Sequence, residues 1–480
     1  MISSPLQNAL RRQFLQRTSG GLGAAALASL FAQDAKSGAA DKTPSNGILA
    51  ETHFAPRARR VIYLFMSGGP AQMDLFDHKP RLNEMLGQEI PKSVVGEQRL
   101  TTMTRSQSSF PIAGSHYKFS QVGDAGLEVS ELLPHIGGIA DRIAVIRSMH
   151  SEPINHDPAV MFFQTGSSIT GRPCLGSWLS YGLGTENSNL PAFIVLLSGP
   201  TGGQPLLSKY WHSGFLPSRH QGVQFRSKGD PVMSLTDPAG ISRDDRRRIV
   251  SAVNDLNRLK LEESGDPEIE ARINAFELAF QMQTTVPELM EIADEPQHIL
   301  DMYGAKPGEA SFANNCLLAR RLLERGVRFV QLYDKDWDHH QELPKKMPVK
   351  CRDVDQACAA LIKDLAQRGL LDDTLVIWGG EFGRTTYCQG GLTPETYGRD
   401  HHPRCFTVWL AGGGIKPGIV IGKTDDFSYN VAEDPIHVHD LQATILHCLG
   451  IDHERLTYRF QGRDYRLTDI SGHVVDRLLA

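Results

Sequence analysis

Gly379-Gly380-Glu381-Phe382-Gly383-Arg384-Thr385, followed by Gly398-Arg399-Asp400-His401-His402-Pro403, is the stretch from which the fold is read. Directly upstream, Asp372-Asp373 signals a turn, and Thr374-Leu375-Val376-Ile377-Trp378 is a short β-branched and apolar run of the buried-strand type. A strand that empties into Gly-Gly-Glu-Phe-Gly sets Glu381 at its carboxyl end, the edge of an open α/β sheet where ligands bind. The glycines let the backbone turn sharply and approach closely whatever Glu381 holds. The Asp-His-His that follows reads as a Gly/Pro-framed loop. Carboxylates and imidazoles delivered by loops to one sheet edge are the donors a divalent metal takes.

The same pattern recurs along the chain. Arg59 to Met66 reads as a buried strand ending in Ser67-Gly68-Gly69-Pro70, with Asp74 and Asp77 beyond. Asp74 is a candidate metal ligand, or else a first-turn helix carboxylate. Residues 80–130 are polar and read as an excursion over the active face. Glu131 to Met149 reads as helical, overlapping a strand over Asp141–Arg147 that runs into His150 to Pro158. A helix over Ala159–Gln164 closes at Thr165-Gly166. Pro158 suits its first turn, and such an N-terminus is a ready anion site. Leu190–Ser198 is a further strand, 200–240 an irregular segment, and Ser242–Gln283 the core of a charged helical surface insert near 242–300. A helix over Asn314–Glu324 precedes strand Val327–Tyr333, which delivers Asp334, Asp336, Trp337, Asp338, His339 and His340. A helix over 349–369 leads back to the opening motif. Phe406–Ala411 is a strand and His439–Leu446 a capped helix. Strand and helix alternate, so the expected fold is α/β, a mainly parallel central sheet with helices on both faces.

The chain has 480 residues, 40% hydrophobic and 22% charged, ordinary for a globular protein with a sizeable core. A net charge of -5 gives no reason to expect nucleic acid as a partner. Of the 18 histidines, His78, His156, His339, His340, His401, His402, His437 and His439 stand beside or close to an aspartate or another histidine. The seven cysteines show no Cys-x-x-Cys spacing, which argues against zinc ribbons and thioredoxin-like chemistry.

Residues 1–40 read as a targeting segment. Arg11-Arg12-Gln13-Phe14-Leu15 followed by a weakly apolar run, Gly20 to Ala32, looks like a Tat export signal, too short for a membrane span. Ala26-Leu27-Ala28 and Gly38-Ala39-Ala40 both suit cleavage. Residues 41–56 read as a linker, and 57–480 as the folded domain. The expected location is periplasmic or secreted, with no transmembrane segment in the mature protein.

In order, Ser67-Gly68-Gly69-Pro70 with Asp74, Asn155-His156 to Thr165-Gly166, Trp337-Asp338-His339-His340, Gly380 to Thr385, Gly398 to His401, His439-Asp440 to Thr444, and Gly450 to Leu456 resemble the alkaline phosphatase and arylsulfatase superfamily. More closely, they resemble the Tat-exported, sulfatase-related family called domain of unknown function 1501. The resemblance implies an alkaline phosphatase/sulfatase-like α/β fold. Sulfatases start a helix with Cys-x-Pro-x-Arg and carry Thr-Gly nine residues after the nucleophile. Here His156 stands nine before Thr165, Pro158 keeps its place and Val160 replaces the arginine. No formylglycine can form. The superfamily's Asp-(Asn or His)-Gly appears as Glu381-Phe382-Gly383, so Phe382 cannot ligate.

The expected function is a metal-dependent hydrolase of a small anionic ester, sulfate or phosphate, including esters on a glycan. A divalent metal (zinc, calcium or manganese) is expected on Asp74, His156, Asp338, His340, Glu381 and His401. His156, His402 and Arg384 are the expected catalytic groups, with Arg399 an alternative anion fork and His339 an alternative general acid. The alternatives are a catalytically inactive secreted binding or scaffold protein of the same fold, and a protein that sequesters a transition metal.

Overall fold

The computed structural model describes residues 47–198, 206–232, 237 and 240–480. Residues 1–40, read above as a targeting segment, lie outside them. The described residues belong to one compact unit, Asn46–Ala480.

Its centre is a nine-stranded sheet in the order Ile419–Ile421, Ala144–His150, Phe406–Ala411, Thr374–Gly379, Arg60–Met66, Phe329–Asp334, Phe193–Ser198, Val223–Phe225, with Ile436–His437 also paired to Ala144–His150. All pairings are parallel except those of Phe406–Ala411, which runs antiparallel to both neighbours. The reason for the β-branched, apolar runs is visible in the packing. Side chains alternate across a strand, and both faces are covered. Ile62, Leu64, Val330, Leu332, Val376 and Trp378 enter one core layer. Val61, Tyr63, Phe65, Phe329, Tyr333, Leu375 and Ile377 enter the other. Helices Phe312–Glu324 and Leu343–Gln367 supply the first layer. His156–Thr165, Leu175–Leu183 and Val438–Cys448 supply the second. Each fully buried large aliphatic or aromatic side chain contributes roughly 1.5–3 kcal/mol.

This topology brings the carboxyl ends of Arg60–Met66, Ala144–His150, Phe329–Asp334 and Thr374–Gly379 to one rim. The antiparallel Phe406–Ala411 starts at that rim, so the segment before it is delivered there too.

Several local expectations are corrected. Glu131–Met149 is not a long helix: Pro134–Gly137 forms one turn and Ala140–Arg142 another, because Pro134 opens and Gly137-Gly138 closes the first. The Asp-His-His segment is not a loop. Gly398–His402 is a strand paired antiparallel with Gly383–Gln389. The irregular 200–240 segment contributes an edge strand, Val223–Phe225. The described part of the 41–56 linker lies along the body: Ile48 and Leu49 donate to the Tyr181 and Gly182 carbonyls, and His53 to that of Gly450. The helical insert is a hairpin of Arg243–Ser264 and Pro267–Met290, opened by a Ser242–Asp245 capping box and turned at Gly265, φ 64°. Only Asn254 of its first helix is buried.

Candidate metal centre

Four side chains from three rim segments converge. One potential ligand atom from each of His156, Asp338, His340 and His401 lies within 4.8 Å of the others. His156 opens helix His156–Thr165, Asp338 and His340 follow the Phe329–Asp334 strand, and His401 lies in the hairpin. Asp338 sits among the imidazoles. Its Oδ1 is 2.8 Å from His340 Nε2 and 3.4 Å from His401 Nε2, and its Oδ2 is 3.1 Å from His156 Nε2.

Each imidazole is held from behind through Nδ1. His156 Nδ1 donates to Glu381 Oε1 at 2.6 Å, His401 Nδ1 to the Ile154 carbonyl at 2.8 Å, and His340 Nδ1 to Gln389 Oε1. With a proton on Nδ1, each ring in its neutral form turns an Nε2 lone pair inward. His340 Nε2 and His401 Nε2 come within 3.0 Å of each other. His156 Nε2 is buried and faces Asp338 Oδ2 at 3.1 Å. Lone pairs facing one another at this distance repel unless a proton or a cation lies between them. Three Nδ1-anchored imidazoles and one carboxylate form the donor set and outer-shell pattern of a zinc-type site, and the residues fit such an ion.

The electrostatics follow. Burial raises the tendency of Asp338 to protonate, but Arg384 and the three imidazoles outweigh it, and its carboxyl is held well below the usual range. Burial pulls His156 down, yet Asp338 and Glu381 more than compensate, and its pKa is raised. Burial, offset by Asp338 and reinforced by Arg384 and His156, takes His401 down to about 4.

The other expected site residues stand elsewhere. Asp74 is fully buried against Arg399, Oδ2 2.9 Å from Nε, and is not among the four. The short helix Gln72–Leu75 is thereby tied to the hairpin, whose Thr385 and Thr386 carbonyls also accept from Arg399. Glu381 is also outside the four. It accepts the Gly68 N–H at 3.0 Å and orients His156. Arg384 is buried. Its Nη2 donates to Asp338 Oδ1 at 2.5 Å and to the Gly68 carbonyl, its Nε to Gly69 O at 2.9 Å. Neither arginine presents a fork to a substrate. His402 donates from Nε2 to the Tyr429 carbonyl at 2.6 Å and accepts from Gln98 at Nδ1. Burial takes it down to about 4. It is placed as a structural residue and not as an acid facing the cluster. His339 is buried with neither ring nitrogen bonded among the described residues. His78 pairs with Glu128, and His437 caps helix Val438–Cys448.

Sequence reasoning missed two groups, Gln389 and the Ile154 carbonyl, whereas the Ser67-Gly68-Gly69-Pro70 strand end was marked by its paired glycines. Gly68 has φ 120° and Gly69 φ 75°. A Cβ at Gly68 would meet Asp338 N at 2.5 Å, and one at Gly69 the Phe382 ring at 2.7 Å. Residues 80–130 lean on the hairpin: Thr101 and Thr104 hydroxyls donate to Asp400 Oδ2 at 2.5 and 2.6 Å.

The protein belongs to the family described as "Protein of unknown function (DUF1501)", whose model matches residues 58–479. No curated protein sequence matches the chain. Among solved structures it is distantly similar to the PsFucS1 sulfatase from Pseudoalteromonas sp., at 12% identity and TM-score 0.32, covering 83% of this chain and 69% of the other. A protein in the alkaline phosphatase superfamily from Vibrio parahaemolyticus is similar at 11% identity and TM-score 0.33, covering 86% and 72%. The phosphonate monoester hydrolase of Agrobacterium radiobacter is similar at 11% identity and TM-score 0.31, covering 88% and 77%.

Proposed function

We propose that the protein is an exported metal-dependent hydrolase of small anionic esters, with sulfate or phosphate esters, free or on a glycan, as the substrate class. What supports this most is the convergence of His156, Asp338, His340 and His401 at the carboxyl rim of the sheet, three of them anchored for inward lone pairs. Nitrogen-rich donors of this kind favour zinc-type transition metals over calcium, which takes six to eight oxygens. When bound, such an ion polarises the ester oxygen and lowers the pKa of water, the roles a side-chain nucleophile would otherwise fill.

The chain's own residues do the rest. Glu381 holds the His156 proton on Nδ1, away from the reacting face. Arg384 keeps Asp338 ionised. Asp338 and His340 are the more open side of the cluster, with side chains 25% and 21% exposed, so a substrate approaches there. Export by the twin-arginine route rests on Arg11-Arg12. Among the described residues no helix is long and apolar enough to cross a membrane.

A second reading, a non-catalytic binding or scaffold protein, is favoured by one observation: Arg384 and Arg399 are both buried and engaged with protein acceptors. A panel of aryl sulfates and phosphates assayed on zinc-loaded protein separates the two. Turnover that disappears with chelator and with His401→Ala supports the hydrolase. Stoichiometric zinc with no turnover on any ester supports the binding protein.

A further inference from the structure

We propose that Arg384 is a positioning residue that restricts Asp338 to single-oxygen ligation and makes the loaded centre one charge more positive, which raises its affinity for anions. This rests on the metal reading given above.

Arg384 is 1% exposed, and its guanidinium is fixed by acceptors from three separate segments. Nε donates to Gly69 O at 2.9 Å, Nη1 to Arg399 O at 3.2 Å, and Nη2 to Gly68 O and to Asp338 Oδ1 at 2.5 Å. Its own main chain is clamped by the Gln72 amide, which accepts from Arg384 N at 2.9 Å and donates to Arg384 O at 3.1 Å. The head group therefore cannot swing away when a cation arrives. One lone pair of Asp338 Oδ1 stays committed to it, so the carboxylate cannot chelate symmetrically through both oxygens.

Charge leads to the same place. Around the cluster the carboxyl groups are those of Asp338, of Glu381 on His156 and of Asp400, whose Oδ1 accepts the His401 N–H at 2.8 Å, and the guanidinium on Asp338 is that of Arg384. The Asp74–Arg399 pair cancels itself. Arg384 makes the loaded centre one charge more positive than the carboxyl groups and a divalent ion would leave it, in a half-buried place where charge interactions are weakly screened. The buried arginine thus raises the site's anion affinity without touching the anion. A guanidinium beside a ligating carboxylate also repels the cation that the carboxylate holds.

The test compares the full chain with Arg384→Gln and Arg384→Lys, measuring zinc affinity by chelator competition and inorganic phosphate affinity on the zinc-loaded protein. Arg384→Gln should hold zinc about two- to tenfold more tightly than wild type and bind phosphate about tenfold more weakly. Arg384→Lys should keep phosphate affinity within about threefold. The opposite movement of the two affinities is what a merely structural role would not produce. Both falling together, or neither moving, overturns the proposal. Should the variants fail to fold, the zinc-loaded wild-type crystal structure decides. One Asp338 oxygen on zinc with Arg384 still on the carboxylate is expected; a symmetric two-oxygen chelate, or a displaced Arg384, contradicts it. Wild-type protein that takes up no zinc removes the metal reading itself.

Discussion

Glu381 Oε1 lies 2.6 Å from His156 Nδ1, and the same carboxylate receives the Gly68 amide at 3.0 Å. A residue that reads in sequence as a metal ligand thus stands behind His156, outside the group of four. It fixes the ring's tautomer, and the fully buried carboxylate is itself stabilised by a backbone donor from the neighbouring strand's turn.

Glu381→Gln should weaken zinc binding by about 10–100-fold while far-UV circular dichroism stays that of wild type. Competition with a chromophoric chelator measures the affinity. An unchanged affinity would show that Glu381 does not govern His156.

Asp74→Asn leaves Arg399 charged and buried without its carboxylate. Breaking such a pair costs about 3–5 kcal/mol. Denaturant unfolding should show that loss, while the folded variant still binds one zinc per chain. Loss of zinc with stability unchanged would return Asp74 to the ligand set.

Gly68→Ala and Gly69→Ala each force a side chain into left-handed backbone and into contact with Asp338 N or the Phe382 ring. Each should lower stability by about 1–3 kcal/mol and zinc affinity with it. A variant within a few tenths of a kcal/mol of wild type by chemical denaturation would contradict the account of the turn.

Acid should destabilise the fold through its buried neutral histidines. His220 donates from Nδ1 to Ser180 Oγ at 3.0 Å and accepts from Arg219 at Nε2, so protonation puts two donors face to face. Burial, then Arg219, takes it from 6.5 to about 4. The unfolded chain binds the proton first, so the neutral form's contribution is complete above about 6.5 and lost as pH falls toward about 4. Urea midpoints at pH 7 and pH 5 should differ, and His220→Gln should reduce the difference. An equal difference in both proteins would remove His220 from the acid response.

The strand runs were legible because Thr374–Trp378, Val61–Met66 and Phe329–Tyr333 are apolar on both faces, which only a doubly covered sheet requires. Asp338, His340 and His401 were legible for a related reason: each follows or precedes such a run. The hairpin was not, because Gly-Arg-Thr-Thr-Tyr-Cys-Gln looks polar and yet is buried from Gly383 through Cys388, with Arg384 and Thr386 satisfied by the Gly69 and Phe427 carbonyls, distant in sequence. The roles of Asp74 and Glu381 were hidden for the same cause. A carboxylate in sequence does not reveal whether its partner is a cation, an arginine or an imidazole; Arg399 and His156 stand 325 and 225 residues away.

The central claim is tested most directly by an anomalous-scattering crystal structure of zinc-loaded protein. The account predicts a single zinc peak bounded by His156 Nε2, His340 Nε2, His401 Nε2 and an oxygen of Asp338. Zinc bound elsewhere, or a cluster that stays empty at saturating zinc, would contradict it.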